Sequence, residues 1–334
     1  MECEETAMTG KLTDKANILC ILEILKENSD ETHILPVSSI INQLRDRYGL
    51  EVERRSVYRN IDTLIAMGYD ISKYSDNNKG YYLINREFEE SELHFLMDAV
   101  FSAASIPAKA THDLIEKLGS FQSRYQRKKY SSMIVKNSRW KTPNTVVFYN
   151  IDILDEAITS GSKVQFDYMK YTIEKSLVPR RTEKYTASPY GMVYVNEHYY
   201  LICCFEGHDD IAVARIDRIA NIKQTKDTVV PLGQGIDLYD AANRCIYMYG
   251  YGDKTQKVTL HCDMNVLDDV IDKFGEQAKL TLIDDKKFAL ELEVVPMGLK
   301  YWILQYAGAV EVIGPIELRR EIQAVLKCAF EKYQ

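Results

Sequence analysis

Residues 50–68, LEVERRSVYRNIDTLIAMG, constrain the fold more than any other stretch of this sequence. The apolar residues recur at the i, i+4, i+7, i+8 spacing of a helix with one buried face: Val57, Ile61, Leu64 and Ile65. The opposite face then carries arginines, with no acidic residue between positions 54 and 59. Because a guanidinium can donate two parallel hydrogen bonds to a phosphate or a guanine edge, such a face suits DNA. A solvated basic helix face is the alternative.

The sequence around this helix favours the DNA reading. Apolar periodicity predicts one helix over 14–28 and a second that starts near Pro36 and ends at Gly49. A connection of four residues, 50–53, then makes a helix-turn-helix. Two predicted strands, 70–74 and 81–84, follow with the turn SDNNKG between them, so residues 1–85 are expected to be a winged helix-turn-helix DNA-binding domain. The expected DNA-contacting residues are Arg54, Arg55, Ser56, Tyr58, Arg59, Asn60, Lys73 and Lys79.

Composition limits the class of protein. A chain of 334 residues predicts two or three domains, and 46% hydrophobic with 27% charged residues is typical of a soluble globular protein. No apolar run is long enough for a membrane span and the amino terminus is acidic, so a cytoplasmic protein without membrane contact is expected. The seven cysteines are scattered without a CxxC pair, and we expect reduced thiols and no metal site. The net charge of −7 disfavours a protein that coats nucleic acid indiscriminately.

Helices and then strands are predicted beyond residue 85. Residues 86–150 predict a helical connector, with helices over 91–104 and 108–126, and apolar helices in this place often pair subunits. Two basic aromatic segments, 124–130 and 136–142, are either solvated linker or a second contact with a nucleic-acid backbone. After a short helix over 152–159, five short strands predict a small β-barrel or strongly bent sheet: 163–168, 184–187, 191–194, 198–204 and 211–216.

The carboxy-terminal third predicts a ferredoxin-like α/β unit. A strand from 256, a helix, strands over 278–283 and 288–295, and a helix over 317–330 follow in a β-α-β-β-α order. The tyrosine-rich stretch 239–251 has no assignment. The fold class expected is therefore multidomain α+β.

Four motifs together resemble the WYL-domain transcriptional regulators, a family named for a Trp-Tyr-Leu triplet. SPYGMVYVNEHYYL (188–201) contains Tyr199 where the family often has Trp, followed by Tyr200 and Leu201, and ARIDRI spans 214–219. RRSVYRNIDTL resembles the family's recognition helix, and residues 301–322 look like its carboxy-terminal WCX extension. The resemblance implies a winged helix, helical connectors, a ligand-sensing WYL domain with an Sm-like or SH3-like barrel over 151–230, and a WCX extension over 231–334.

The resemblance also implies a ligand, with a nucleotide or single-stranded nucleic acid as the suspected class. Candidate ligand-binding residues would supply π-faces, a hydroxyl and fixed positive charge: Ser188, Tyr190, His198, Tyr199, Tyr200, Arg215 and Arg218. On a strand, Tyr199 and Tyr200 face opposite ways, so only one of them needs to line a pocket. Alternatively, the aromatic residues are barrel core and the two arginines pair with Asp217 or nearby acids.

A regulator controlled by a ligand is the leading interpretation, with operator DNA as its partner and a homodimer as its expected form. The second interpretation is an interaction module in which the barrel binds single-stranded nucleic acid or a protein and operator recognition is secondary. No enzyme is expected, because phosphate-binding, zinc-protease and nucleophile-elbow motifs are absent from the sequence and its six histidines have no ligand or triad spacing. No cofactor is expected either.

Overall fold

The computed structural model describes residues 14–133, 140–232, 238, 245–251 and 253–334. The chain divides into two compact units, Met1–Lys141 and Thr142–Gln334. The architecture is mixed α and β, with helices predominating in the first unit and antiparallel sheets in the second. Over the described ranges, no helix combines the length and apolar character that a bilayer crossing requires.

Three helices begin the first unit. They are α1 (Asn17–Asn28), which follows a 3-10 turn at Asp14–Ala16, α2 (Val37–Tyr48) and α3 (Arg54–Ala66). Their apolar faces meet in one core, to which α3 contributes the predicted residues Val57, Ile61 and Leu64. Gly49 ends α2 in the left-handed conformation, with φ 65°, and its N–H donates to the carbonyl of Arg45. The three predicted helices and the predicted buried face of α3 are confirmed.

A two-stranded sheet follows α3. Strands β1 (Ile71–Ser72) and β2 (Tyr82–Leu83) pair antiparallel, and both are shorter than the predicted 70–74 and 81–84. A one-turn helix, α4 (Tyr74–Asn77), lies in the connection that the sequence predicted as a simple turn. The side chain of Asn77 explains the difference, because its Nδ2 donates to the carbonyls of Lys73 and Gly80 while its Oδ1 accepts the Gly80 N–H. A bridge from Leu35 to Tyr81 extends the sheet.

Three connector helices complete the described part of the first unit: α5 (Glu90–Ser102), α6 (Ala108–Gly119) and α7 (Arg124–Met133). The helix predicted over 108–126 is therefore wrong, since the chain leaves the helix at Ser120 and starts another at Arg124. A capping box causes the break. The Ser123 hydroxyl accepts the Gln126 N–H at 3.2 Å, and the Gln126 side chain accepts the Ser123 N–H at 3.1 Å.

The buried carboxylate of Asp30 fixes this break against α1. It accepts a hydrogen bond from the Ser123 hydroxyl at 2.7 Å and others from Thr32 and His33. Burial alone would raise the pKa of Asp30, but these hydrogen bonds to its ionised form outweigh burial and lower the pKa from 3.8 to about 2. Asp30 is therefore a charged anchor between the first helix and the connectors.

A helix and a six-stranded antiparallel sheet begin the second unit. Helix α8 (Val147–Ser160) starts five residues before the predicted 152. The strands are β3 (Ser162–Tyr171), β4 (Leu177–Pro179), β5 (Tyr185–Val195), β6 (His198–Phe205), β7 (Ile211–Arg215) and β8 (Ile219–Thr228). Their order is β4-β3-β5-β6-β7, and β8 pairs with β3. The predicted strands over 184–187 and 191–194 form one strand, β5, which has a register shift between Pro189 and Gly191.

The predicted barrel is not closed. Among the described strands no pairing joins β7 to β8, which are separated by a 3-10 turn at Ile216–Arg218. Helix α8 packs on one face of the sheet, where Leu154, Phe166 and Leu201 are fully buried. The barrel prediction is therefore corrected to an open six-stranded sheet.

A second antiparallel sheet with three helices forms the carboxy-terminal part. In chain order these elements are β9 (Gln256–Asp263), α9 (Leu267–Phe274), β10 (Lys279–Leu282), β11 (Lys287–Val294), α10 (Pro296–Gln305), β12 (Val310–Gly314) and α11 (Ile316–Glu331). The strand order is β10-β11-β9-β12. The predicted β-α-β-β segment and final helix are present, whereas α10 and β12 were not predicted as separate elements.

Residues 245–251 join the two parts of the second unit; residues 239–244 of the unassigned tyrosine-rich stretch lie outside the described residues. Cys245, Met248 and Tyr251 pack against Ile202 on the face of the first sheet opposite α8. Ile246 belongs to the core of the second sheet, and its carbonyl lies so close to Gly298 that an added Cβ there would be 1.9 Å from the oxygen. The segment therefore covers the hydrophobic face of the first sheet opposite α8 and packs tightly against α10.

Candidate functional site

Helix α3 presents the first candidate surface. Its core-facing residues hold it so that Arg54, Arg55, Tyr58 and Arg59 are exposed. Within the described part of the chain, none of these three arginines forms an ion pair with an acidic side chain. Unneutralised guanidinium groups on one exposed helix face remain available to phosphates or base edges.

The other predicted DNA-contacting residues differ in how available they are. Ser56 and Asn60 are half-buried, and the Asn60 amide donates to the Ser56 carbonyl at 2.9 Å, so it folds back on the helix. Lys73 pairs with Asp62 at 3.0 Å. Lys79 is exposed next to the turn that Asn77 stabilises, where its N–H donates to the Asn77 Oδ1. The arginines and Tyr58 are thus the most accessible members of the predicted set.

The basic segment on α7 has structural partners within the first unit. Tyr125 stacks on His33 with ring centroids 3.5 Å apart and an interplanar angle of 2°. Arg124 donates to the Tyr125 hydroxyl at 2.7 Å, and Arg127 donates to the Gly119 carbonyl at 3.1 Å. These contacts fit the solvated-linker alternative better than a second nucleic-acid surface. Of the other basic segment, residues 136–139 lie outside the described residues.

The predicted ligand-binding residues of the first sheet separate into three groups. Ser188 and Tyr190 lie on β5 and hold the chain after β8, because the Ser188 hydroxyl accepts the Val230 N–H and the Tyr190 hydroxyl donates to the Val230 carbonyl. Ser188 pairs with Cys204 in the sheet, four residues along β6 from Tyr200, which corresponds to about 13 Å. Ser188 is therefore distant from the arginines, whereas Tyr190 lies at the register shift in the middle of β5, between the pairs Pro189–Cys203 and Gly191–Ile202.

Tyr199 and Tyr200 face opposite sides of β6, as the strand alternation predicted. Tyr199 packs with the core beneath α8, beside Tyr194 at 5.4 Å between ring centroids. Tyr200 packs on the other face, and its strand partner is Arg215. Tyr200, His198 and Arg215 consequently belong to one side of the sheet.

Arg215 and Arg218 flank a buried carboxylate on the 216–218 turn. Asp217, with a side chain that is 1% exposed, accepts hydrogen bonds from Arg215 Nε at 3.0 Å and from the Arg215 terminal nitrogen at 2.7 Å. Arg218 is different, because its Nε lies 3.9 Å from the same carboxylate and its guanidinium lies over the ring of Tyr171 at 3.9 Å. The pairing that the sequence offered as the alternative to ligand binding thus holds for Arg215, and only loosely for Arg218.

Two polar atoms in this region lack a hydrogen-bond partner within the described residues. They are Nε of Arg218 and Nδ1 of His198, and both are buried. Burial and the nearby Arg215 guanidinium lower the pKa of His198, so the ring is neutral at neutral pH. Because an unsatisfied buried polar atom is costly, the pair marks a place where an added hydrogen-bonding group would be stabilised.

Three further residues complete the arginine cluster, defined here as Tyr168, Tyr171, Arg180, His198, Arg215, Asp217 and Arg218. The Tyr168 hydroxyl accepts the Arg215 N–H at 3.1 Å, and Arg180 lies over the Tyr168 ring at 5.6 Å. Sequence reasoning missed Tyr168, Tyr171 and Arg180. The aromatic residues of β3 were a signal for Tyr168 and Tyr171, but the approach of Arg180 depends on β4, which the sequence did not predict.

Two family models match the second unit. The family model of the WYL domain matches residues 149–224, and that of the WCX domain matches residues 254–330. No curated protein matches the chain in sequence. The chain thus contains a WYL domain formed by α8 and most of the first sheet, and a WCX domain formed by the second. The WYL and WCX parts of the resemblance drawn from the sequence are therefore confirmed.

Two solved structures are similar to the chain at low identity. Proteasome accessory factor B/C (PafBC) of Arthrobacter aurescens is 15% identical with a TM-score of 0.27, over 100% of this chain and 52% of that one. This chain therefore spans about half the length of that protein. A CRISPR Cas-related protein is 14% identical with a TM-score of 0.38, over 97% of this chain and 87% of that one.

Proposed function

We propose that this protein is a DNA-binding transcription regulator whose WYL domain senses a phosphate-bearing ligand, either a nucleotide or a single-stranded nucleic acid. Residues 14–85 are assigned to a winged helix-turn-helix and the helices within 86–133 to connectors. The first sheet is assigned to an Sm-like or SH3-like fold left open, and residues 256–314 to a ferredoxin-like unit. The protein acts by binding, not by catalysis, and works in the cytoplasm.

The exposed arginines of α3 carry the DNA-binding part of the proposal. Helices α2 and α3 are joined by residues 49–53, and the second of them presents Arg54, Arg55 and Arg59 on one exposed face. A helix placed in this way can enter the major groove, where arginine is the commonest reader of guanine.

Selection from a random duplex library tests this assignment. The full chain should enrich a defined sequence and bind it at least about 10³-fold more tightly than a scrambled duplex. Enrichment of no sequence, or equal affinity for both duplexes, would refute operator recognition.

The arginine cluster carries the ligand part of the proposal. It holds the guanidinium groups of Arg215 and Arg218 against one buried carboxylate and that of Arg180 over the Tyr168 ring. The Arg218 guanidinium also lies over the Tyr171 ring, and nitrogens of Arg218 and His198 are unsatisfied. A phosphate oxygen would accept hydrogen bonds from Arg218, and a base could stack on a tyrosine.

Titration of the full chain with labelled mononucleotides and short single-stranded oligonucleotides tests the ligand site. Arg218→Ala should weaken binding at least tenfold, since a hydrogen bond to a charged group contributes about 1.5–3 kcal/mol. Arg181→Ala is the matched control, because Arg181 also lies over a tyrosine ring of this sheet, Tyr185 at 3.6 Å. Equal loss in both variants would argue against a specific site.

An interaction module that binds single-stranded nucleic acid, with operator recognition secondary, is the second candidate. The exposed aromatic rings Tyr194 and Tyr249, at 49% and 48%, favour it because bases stack on such rings. Affinity that rises steadily with oligonucleotide length would support this module, whereas a sensor of a mononucleotide should be insensitive to length.

We also propose a homodimer, since paired half-sites match two-fold protein symmetry. Helix α5 buries Leu93 and Met97 but leaves Phe95 76% exposed, an unusual degree for a phenylalanine. Sedimentation of the full chain should give the mass of two chains, and Phe95→Glu should give one if α5 forms the contact.

A further inference from the structure

The 216–218 turn, which carries Asp217 and Arg218, is held in place by two asparagine amides. Asn144 is 8% exposed, and its Nδ2 donates to the carbonyl of Asp217 at 3.0 Å and to that of Ile219 at 2.8 Å. Asn150, fully buried on α8, donates to the same Ile219 carbonyl at 2.7 Å. The backbone on both sides of Arg218 is therefore bound to residues outside the sheet.

Asn144 uses its whole side chain in this arrangement. Both Nδ2 protons go to the turn, and Oδ1 accepts the N–H of Val146 at 3.1 Å. Because the Asn144 amide is buried, no water replaces a hydrogen bond that it loses. A movement of the turn is therefore expected to move Asn144 with it. Asn144 is a positioning residue for the arginine cluster.

The chain just before Asn144 is anchored in the first unit. Lys141 Nζ donates to the carbonyls of Ala103 at 2.8 Å and Val100 at 3.2 Å, at the carboxy-terminal end of α5. Positive charge is favoured at that end of a helix. Thr142 is 3% exposed, and its hydroxyl accepts the Asn144 N–H at 3.2 Å. Only two residues, Thr142 and Pro143, thus separate Lys141, which is bonded to α5, from Asn144, which is bonded to the 216–218 turn.

We propose that residues 141–144 form the coupling segment through which ligand binding at the arginine cluster changes DNA binding by α3. The inference rests on the proposed function. A phosphate that binds Arg218 draws its guanidinium away from the Tyr171 ring and shifts the turn. Asn144 follows because it is bonded to the carbonyls on both sides of Arg218, those of Asp217 and Ile219. Lys141 transmits the displacement to α5, a connector helix of the unit that contains α3. A ligand that left the turn in place would have no such effect.

The experiment uses the full chain, the duplex selected as above, and a 5′-phosphorylated single-stranded pentanucleotide as the probe. Two quantities are measured by fluorescence anisotropy for each variant: affinity for the pentanucleotide, and affinity for the duplex with and without saturating pentanucleotide. The wild-type duplex affinity should change at least about fivefold, the lower end of common allosteric coupling.

Lys141→Met is the decisive variant. It removes both hydrogen bonds to α5 and the charge over the Phe101 ring but keeps a side chain of similar length, and Lys141 is not a member of the arginine cluster. Pentanucleotide affinity should stay within twofold of wild type, while the effect of pentanucleotide on duplex affinity should fall towards none. Asn144→Ala should lose the same effect and also bind pentanucleotide more weakly, because the turn is no longer fixed.

Asn150→Ala is the matched control. It removes an amide from the same carbonyl but not from the coupling segment. Asn150→Ala should bind pentanucleotide more weakly, but saturating pentanucleotide should still change its affinity for the duplex. A wild-type effect that survives in Lys141→Met and Asn144→Ala overturns the coupling segment and leaves the proposed function standing. No effect in the wild type overturns both.

Discussion

Replacing Asp217 with asparagine tests two roles of its carboxylate, which holds the Arg215 side chain in place and neutralises its charge. The side chain is 1% exposed and accepts two hydrogen bonds from Arg215, at 3.0 Å and 2.7 Å, with Arg218 Nε 3.9 Å away. Asparagine keeps the shape but loses the charge, and one of its two terminal atoms is a donor that faces a guanidinium. The substitution should therefore lower stability and at the same time strengthen anion binding.

The size of the stability loss follows from burial. Breaking a buried ion pair by removing one partner costs about 3–5 kcal/mol. Arg215 is 27% exposed and keeps part of its hydration, so we expect about 2–3 kcal/mol for this pair. At about 2–4 °C per kcal/mol for a unit of this size, Tm should fall by about 4–12 °C. Loss of one negative charge beside the guanidiniums should raise affinity for a phosphorylated oligonucleotide about threefold or more.

Calorimetry and anisotropy on the same samples measure both effects. Asp209→Asn serves as the control, because Asp209 is exposed on the connection before β7 and its loss should change Tm by less than about 2 °C. An Asp217→Asn variant with an unchanged Tm, or one that binds the oligonucleotide more weakly, would refute the view that this carboxylate both holds and neutralises Arg215.

The remaining predictions concern the two units separately. The double variant Arg55→Ala/Arg59→Ala should bind the selected duplex more weakly. The slope of log affinity against log salt should fall in magnitude by about 0.9 for each phosphate that the variant no longer neutralises. An unchanged slope in gel-shift titrations would exclude both arginines as phosphate-binding residues. The Asp30 carboxylate has a pKa lowered from 3.8 to about 2, so it stabilises the first unit above pH 4 and that contribution disappears as pH falls through 2. Chemical denaturation should show a loss of about 1–2 kcal/mol between pH 5 and pH 2 that Asp30→Asn lacks. Gly298→Ala should destabilise the second unit by more than about 2 kcal/mol in thermal unfolding, because the new methyl group would meet a carbonyl oxygen at 1.9 Å. Gly308→Ala is the control, and it should have little effect because the space around Gly308 is open.

Local patterns were enough to predict much of the fold. The apolar spacing of α3 and the glycine that ends α2 both predicted what the structure contains, because a helix with one buried face is encoded within a dozen residues. The break at Ser123 was also written locally, as a serine followed three residues later by glutamine, and was overlooked. Whether the sheet closes was not predictable, since closure depends on pairing between β7 and β8 across a turn that local alternation does not describe.

The candidate site shows the same division between local and long-range information. Arg215 and Arg218 were recognised because they sit in one short motif. Ser188 and Tyr190 were grouped with them for the hydroxyl and the π-face that they would supply, yet both bind Val230 after β8, and Ser188 pairs with Cys204, four residues along β6 from Tyr200. The role of Asn144 was not predictable from the sequence, because its hydrogen bonds to the turn join residues more than 70 positions apart.

Duplex affinity measured with increasing pentanucleotide tests the central claim most directly. In the wild-type chain, saturation of the arginine cluster should shift affinity for the selected duplex at least about fivefold, and in Arg218→Ala the shift should require far more pentanucleotide. A wild-type chain that binds both nucleic acids, each with an affinity independent of the other, would contradict the account.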